Sequence, residues 1–413
     1  MFRTTKILPT LCAFTLAWSA LATTGVYAAE TITLGAAVSF TGKYSTNGMH
    51  TKNGYDLAVA RINETGGIKV GDNTYELKII YYDDESTPAR GTQLIERLVN
   101  QDKVNFILGP YSSGLTKAIA PVTEKYRVPM VEGNGASRAL FDQGYRYLFA
   151  VLSTSEQYLQ SAVDLAAERA SAMGKEPSSV RIAGVFENDP FSQDVRAGVL
   201  DDAKRHGMKM VIDDKLPPEI NDMSTSLTKV RALKPDLLVV SGHAKGAALA
   251  IRQVSEMKID VPMLALTHCD SAQVIDKFGK TAEYALCASQ WDRTLSYKDE
   301  WFGTAEEYAQ LFETTYNYAP PYQAAESTAT VLTFVDAFQR AGSIDKEKVR
   351  DALATTDRET FYGHIDFDDS GKNIAKPMVL YQVQDGEYKV VAPTKWASSE
   401  LRHPTPPWAQ RQP

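Results

Sequence analysis

A strand, loop, helix and second strand between Val104 and Ser137 restrict this chain more than any other stretch. The mostly apolar run Val104 to Leu108 breaks at Gly109-Pro110 and restarts at Ser112-Ser113-Gly114 as a helix with Leu115, Ala118, Ile119 and Val122 on one face. A short strand, Val128 to Val131, then runs into Gly133-Asn134-Gly135-Ala136-Ser137, a loop of small residues with hydroxyl and amide groups. In an open parallel sheet both loops sit at the carboxyl ends of strands, where the N–H groups of a helix start face a bound anion. A carboxylate site is expected there.

The same alternation surrounds this unit. Thr31 to Val38 reads as the first strand, Ser39 to Tyr44 as its loop, and Asn47-Gly48 opens a helix with Tyr55, Ala58, Val59 and Ile62 inward. Tyr75 to Tyr82 is a second strand, and Thr87-Pro88 reads as the N-cap and first residue of the next helix. Residues 30–150 therefore predict a parallel sheet covered on both faces. The pattern restarts with strands at Arg181 to Phe186, Met208 to Ile212, Leu237 to Val240 and Met263 to Leu266. The polar loops of this second half are Glu187 to Ser192, Ser241-Gly242-His243 and Thr267-His268-Cys269-Asp270, and Gln193 to His206 is a helix. Two similar α/β lobes account for this without a close sequence repeat.

Beyond Ser289, Trp291 to Pro321 is aromatic-rich, Tyr322 to Ala341 is a long helix, Lys346 to Ala354 a short one, and Thr360 to Phe367 extended. Met378 to Val383 and Tyr388 to Val391 form a hairpin around Asp385-Gly386. The tail from Trp396 to Pro413, rich in Pro and polar residues, is expected along the surface or disordered.

Arg3 and Lys6 before the apolar Leu8 to Ala22, with Val26-Tyr27-Ala28 supplying an A-x-A-like site, read as a secretory leader cut after Ala28. Cys12 leaves with it, and Cys269 and Cys287 remain, either paired or as two buried thiols. The 413 residues, 44% hydrophobic and 23% charged, suffice for two domains. A net charge of −7, or −9 once Arg3 and Lys6 are removed, argues against nucleic acid.

Enzyme and nucleotide readings fail on particular residues. Gly109 and Gly114 have phosphate-loop spacing, but Leu115 replaces the lysine. His268, Cys269, Asp270 and His243 lack the spacing of a metal site, so no metal or cofactor is expected. No G-x-S-x-G elbow is present for a hydrolase, and with six His in the chain a base is not evident.

Several segments in one family's order carry a resemblance: Gly-Ala-Ala-Val-Ser-Phe-Thr-Gly at 35–42, Asn-Glu-Thr-Gly-Gly-Ile at 63–68, Tyr-Asp-Asp at 82–84, Gly-Pro-Tyr-Ser-Ser at 109–113 and Tyr-Gly-His-Ile-Asp-Phe at 362–367. With them the mature chain resembles the type I periplasmic solute-binding proteins of branched-chain amino acid ABC transporters. The resemblance implies an α/β fold of two doubly wound lobes joined by three crossover segments, near Ala150 to Ser153, Ser289 to Trp291 and Phe361 to His364. Lobe 1 then comprises 29–151 plus 291–363 and lobe 2 comprises 152–290 plus 364–395, with the leader at 1–28 and the tail at 396–413.

The resemblance also implies a binding protein rather than an enzyme: an exported periplasmic monomer that closes on a small ligand and is read by a membrane permease. Ser113 matches the serine that holds the ligand carboxylate, and Asn134 to Ser137 the loop beside it, with Ala136 or Ser137 replacing the usual threonine. Phe191 falls at an aromatic position over the ligand and His243 near another, while Tyr44 and Tyr111 join the candidates as loop aromatics. These loop aromatics and Trp291 more often belong to the core, while Tyr322, after Pro320-Pro321 and before a helix, is evenly placed between core and site. Near Thr267-His268 the acid that holds an amino-acid ammonium is missing, although Asp270 is close, and Ser86 and Ser112 stand where the first-lobe disulfide is usual. An aromatic or other small acid, or a short amide or urea, is thus an alternative to a branched-chain amino acid, and a receptor or kinase an alternative to the permease.

Overall fold

The computed structural model describes residues 1–2 and 30–411, so the expected leader cleavage site and Cys12 lie outside the described residues. The strands β1 (Glu30–Val38), β2 (Ile68–Val70), β3 (Asn73–Asp83), β4 (Ile107–Leu108), β5 (Met130–Glu132) and β6 (Leu148–Ala150) form one sheet. Its order is β2-β3-β1-β4-β5-β6, parallel except for the β2–β3 hairpin. That hairpin was not legible in advance. Only Ile107 and Leu108 of the run Val104 to Leu108 pair as strand, because Val104 N–H is tied back to the carbonyl of Leu98.

The second sheet is built from β7 (Arg181–Glu187), β8 (Lys209–Leu216), β9 (Leu237–Ser241), β10 (Met263–Thr267) and β11 (Leu286–Ser289), all parallel. After β12 (Lys298–Asp299), β13 (Gly303–Thr304), β14 (Asp357–Thr360) and β15 (Gly363–Asp366), the hairpin β16 (Val379–Gln384) and β17 (Glu387–Ala392) completes that sheet antiparallel beside β11. Asp385 and Gly386 both have positive φ, as a tight two-residue reversal requires. The molecule is a mixed α/β fold of two doubly wound lobes.

The helices Ser45–Glu64 and Tyr322–Ala341 pack against each other on the first sheet. A Cβ on Gly54 would meet the carbonyl oxygen of Ala324 at 2.2 Å, so only glycine allows this approach. The later helix is buried on nearly every side, which explains its apolar and small-residue composition.

The chain passes between the two sheets beside Ser153 and Gln290, and a third time after β15. Residues 360–367 do not form one extended crossing: β15 folds back on β14 with Gly363 opposite Thr360, and the passage to β16 runs through Asn373 and Lys376. The passages are bonded together. Ser153 N–H donates to Gln290 Oε1 at 3.1 Å, Gln290 Nε2 donates to Ser153 O at 2.8 Å, and Lys376 Nζ donates to Gln290 O.

Cys269 and Cys287 form a disulfide with Cα atoms 5.7 Å apart, joining the loop after β10 to β11. The tail lies on the second lobe, where Trp408 Nε1 donates to Ile259 O at 2.9 Å and Gln384 Nε2 to Glu400 O at 2.9 Å.

Candidate functional site

Strand order fixes where the polar loops meet. In the first sheet β1 lies between β3 and β4, so chain order reverses there, and Tyr44 and Tyr111 lie in the loops that follow β1 and β4. In the second sheet β7 lies between β8 and β9, which places Asp189 and His243 in the loops that follow β7 and β9. The two reversals face each other.

On the first lobe, Ser112 rather than Ser113 caps the helix Ser113–Tyr126, its Oγ accepting from Leu115 N–H at 3.3 Å. Ser113 is thereby free of capping, and its Oγ accepts from Ser137 N–H at 2.9 Å. The loop and the helix start are thus one unit. Glu132, at the end of an otherwise apolar strand, sets the loop's shape: Oε1 accepts from the N–H groups of Asn134 and Gly135, and Oε2 from Thr116 Oγ1 at 2.8 Å. Its full burial pushes its pKa up to about 7, against the pull of those donors. Asn134 donates from Nδ2 to Ser327 Oγ at 2.9 Å, and the carbonyl of Ala136 accepts from both N–H and Oγ of Ser155 in the first passage between lobes.

On the second lobe, Asp189 caps the helix Pro190–Arg205 through the N–H groups of Phe191 and Ser192. Phe191 packs on His268 with ring centroids 5.0 Å apart and on His243 at 5.7 Å. Thr267 donates to the carbonyl of Gly242 at 3.0 Å, tying the loops after β9 and β10 together. His268 adopts a left-handed backbone with φ 62°.

Tyr111 joins the halves. Its hydroxyl lies 2.8 Å from His243 Nδ1 and 3.0 Å from His268 Nε2, and Tyr44 stands edge-on to both the Tyr111 and His243 rings. Burial lowers the pKa of His243, but the charges of Asp189 and Glu187 outweigh it and hold the group above the usual imidazole value. Burial and the neighbouring His243 drive His268 well below it. The two imidazoles that meet across one phenol are thus shifted in opposite directions. A second bond cluster closes the same seam, with Asp194 accepting from Arg138 N–H at 2.9 Å and Ser155 Oγ at 2.7 Å.

Several buried polar atoms here have no hydrogen-bond partner in the protein: Asp189 Oδ2, Ser192 Oγ, His243 Nε2, His268 Nδ1, Asn134 Oδ1 and both amide atoms of Gln323. Buried polar groups are normally satisfied, and this concentration of unpaired atoms makes the seam the candidate site. Asp270 does not belong to it, since its carboxylate accepts from the N–H groups of Tyr322 and Ser271. A cavity of about 550 Å³ on the flank, between Tyr318–Pro321 and Tyr381–Lys389, is lined by Asp270 and Trp291 but by none of the proposed ligand contacts, and the polar seam rather than this wall is the candidate site.

The sequence profile of the periplasmic binding protein family matches residues 31–387. The chain belongs to that family. This periplasmic binding protein is 23% identical over 390 residues to Leu/Ile/Val-binding protein homolog 7 of Brucella suis, covering 91% of this chain and 95% of that relative. Its fold is similar to the branched-chain amino acid transporter substrate-binding protein LivJ of Streptococcus pneumoniae in complex with isoleucine, with a TM-score of 0.76, 21% identity, and coverage of 91% and 100%. It is equally similar to an ABC transporter solute-binding protein of R. palustris in complex with benzoate, at TM-score 0.75, 16% identity, and coverage of 87% and 95%. The family is one of binding proteins, not enzymes. Among the described residues no helix is long and apolar enough to cross a membrane.

Glu132, Asp189, Asp194, Ser192 and Gln323 escaped the sequence reading. Glu132 had a signal, a lone acid closing an apolar strand just before a small-residue loop. The others gain meaning only from the facing lobe.

Proposed function

We propose that this chain is the extracytoplasmic solute-binding protein of an ABC importer, which captures a small carboxylate between its lobes and presents the closed form to a membrane permease. The observation that carries this is the contact of Tyr111 with His243 and His268 across the seam, amid buried polar atoms lacking partners. Lobe 1 is residues 29–151 plus 291–363 and lobe 2 residues 152–290 plus 364–395, hinged where Ser153, Gln290 and Lys376 meet. The ligand carboxylate sits on Ser113 and the Asn134 to Ser137 loop, while Phe191, His243, Thr267 and His268, with Tyr44 and Tyr111, select the remainder. Exposed Lys43, Lys245 and Lys277 beside His243 give the rim a charge that draws anions. The ligands named for the neighbouring structures, isoleucine and benzoate, both carry a carboxylate. Commitment of Asp270 to backbone N–H groups favours an acid without an ammonium group. The leader, the Cys269–Cys287 disulfide and the family support a periplasmic location.

A thermal-shift screen of amino acids, aromatic acids, short amides and urea tests the reading, since a ligand of the native form raises the melting temperature. An aromatic or aliphatic acid should bind unchanged chemically, and Ser113→Ala should weaken it by about 1–3 kcal/mol. Equal affinity of Ser113→Ala for every ligand found rejects the carboxylate seat, and a preference for leucine, isoleucine or valine rejects the choice of an acid without ammonium.

A further inference from the structure

Glu187 at the end of β7, Asp189 at the following helix start and His243 after β9 converge so that one donor atom of each lies within 4.8 Å of the other two. All three are buried side chains, with His243 and Glu187 only 6% and 4% exposed. His243 Nε2 stands 3.6 Å from Asp189 Oδ1, beyond hydrogen-bond distance, and neither Nε2 nor Asp189 Oδ2 has a hydrogen-bond partner in the protein. The other ring nitrogen is engaged by Tyr111 at 2.8 Å. One nitrogen fixed from behind and the other bare toward carboxylates is the way an imidazole is held for a metal ion.

Two carboxylates facing a bare imidazole nitrogen favour a positive charge among them. A proton pairs His243 with Asp189 alone and leaves Glu187 buried, with Oε1 accepting only from Glu219 N–H at 2.8 Å. A divalent ion answers all three groups. We propose that Glu187, Asp189 and His243 bind a first-row divalent cation, zinc foremost, at the edge of the interlobe seam.

One nitrogen and two carboxylate donors suit zinc and leave a coordination position for water or an anion. The lysines on the rim oppose a cation, but all three are exposed and their ammonium groups are engaged elsewhere, Lys277 on Ala272 O, Lys245 on Asn221 Oδ1 and Lys43 over the Tyr44 ring. The sequence-based grouping of His243 with His268, Cys269 and Asp270 is broken by the fold, since Cys269 is in a disulfide and Asp270 serves backbone N–H groups. The proposal goes beyond the capture of a carboxylate and does not require it.

Calorimetric titration of the full, tag-free chain with zinc chloride near neutral pH tests it. One equivalent should bind and raise the melting temperature, and Glu187→Gln and Asp189→Asn should each weaken binding at least ~10-fold. Asparagine still caps a helix, and melting without zinc checks that both variants fold. Ser113→Ala should bind zinc like the wild type, so failure of the carboxylate seat and failure of the metal site are read separately. No stoichiometric binding by the wild type, or unchanged binding in either variant, overturns the site.

Discussion

The loop from Gly133 to Ser137 and the facing loops at Asp189, His243 and His268 are both buried, yet their polar groups are treated differently. The first has most of its backbone bonded in advance, to Glu132, Ser113 and Ser155. The second leaves Asp189 Oδ2, Ser192 Oγ, His243 Nε2 and His268 Nδ1 without partners. A preorganised surface binds a common group, such as a carboxylate, at little cost in ordering, whereas buried unpaired groups discriminate strongly between guests that satisfy them and guests that do not. In the proposed function, one lobe holds and the other chooses.

The largest effect expected from this contrast lies on Glu132. Its pKa, raised to about 7 from 4.5, means that the folded state holds a proton the unfolded state has released, so wild-type stability falls as pH rises between these values and stays low above. Glu132→Gln has no such titration and keeps the carbonyl acceptor for Asn134 and Gly135, while Thr116 can turn its proton to the Ser112 carbonyl, 2.9 Å away. Urea unfolding should show wild type losing about 3 kcal/mol relative to Glu132→Gln from pH ~4.5 to ~7.5. A difference that does not change with pH would mean that the first lobe's loop is not held by a buried, protonatable acid.

Next is Asp194, whose carboxylate joins the Arg138 N–H and Ser155 hydroxyl across the seam. Replacing it by Ala should favour the open form by about 2 kcal/mol, read as a larger radius of gyration in small-angle scattering without ligand. Unchanged dimensions would place the closing energy elsewhere. Tyr111→Phe sharpens the comparison further by keeping the ring and removing the one hydroxyl that touches both imidazoles. About 1 kcal/mol of ligand affinity should be lost, with the first lobe's loop unaffected in amide exchange. Loss of protection at Asn134 to Ser137 would show that the two faces are not independent.

What the sequence disclosed follows the same division. Strands with apolar runs, the helix Tyr322–Ala341 and the Asp385-Gly386 reversal were legible because local periodicity and turn chemistry determine them. Ser113 and Ser137 could be placed together because each closes or opens an element of one β-α-β unit. The short β2 and the β14–β15 hairpin were not, being too brief to show a period. Asp189 looks like an ordinary helix cap in sequence, and it is one; its second oxygen matters only because strand order brings β9 beside β7 and His243 with it. The disulfide was left open by a count of two and is decided by the approach of the β10 loop to β11.

The smallest effect belongs to the far side of the second lobe. Trp408 covers Ile259 and Asp260, and Thr405 N–H donates to Pro262 O, all just before β10, whereas His268 lies just after it. Five strand residues separate the two ends, roughly 17 Å at 3.3 Å per residue. Trp408→Ala removes a half-buried ring and should lower the melting temperature, but sites so far apart with no shared partner are nearly independent, so ligand affinity should change by less than ~0.5 kcal/mol. A larger change would mean that β10 carries strain from the tail to His268, and that the choosing lobe is itself deformable rather than a rigid face set against the preorganised one.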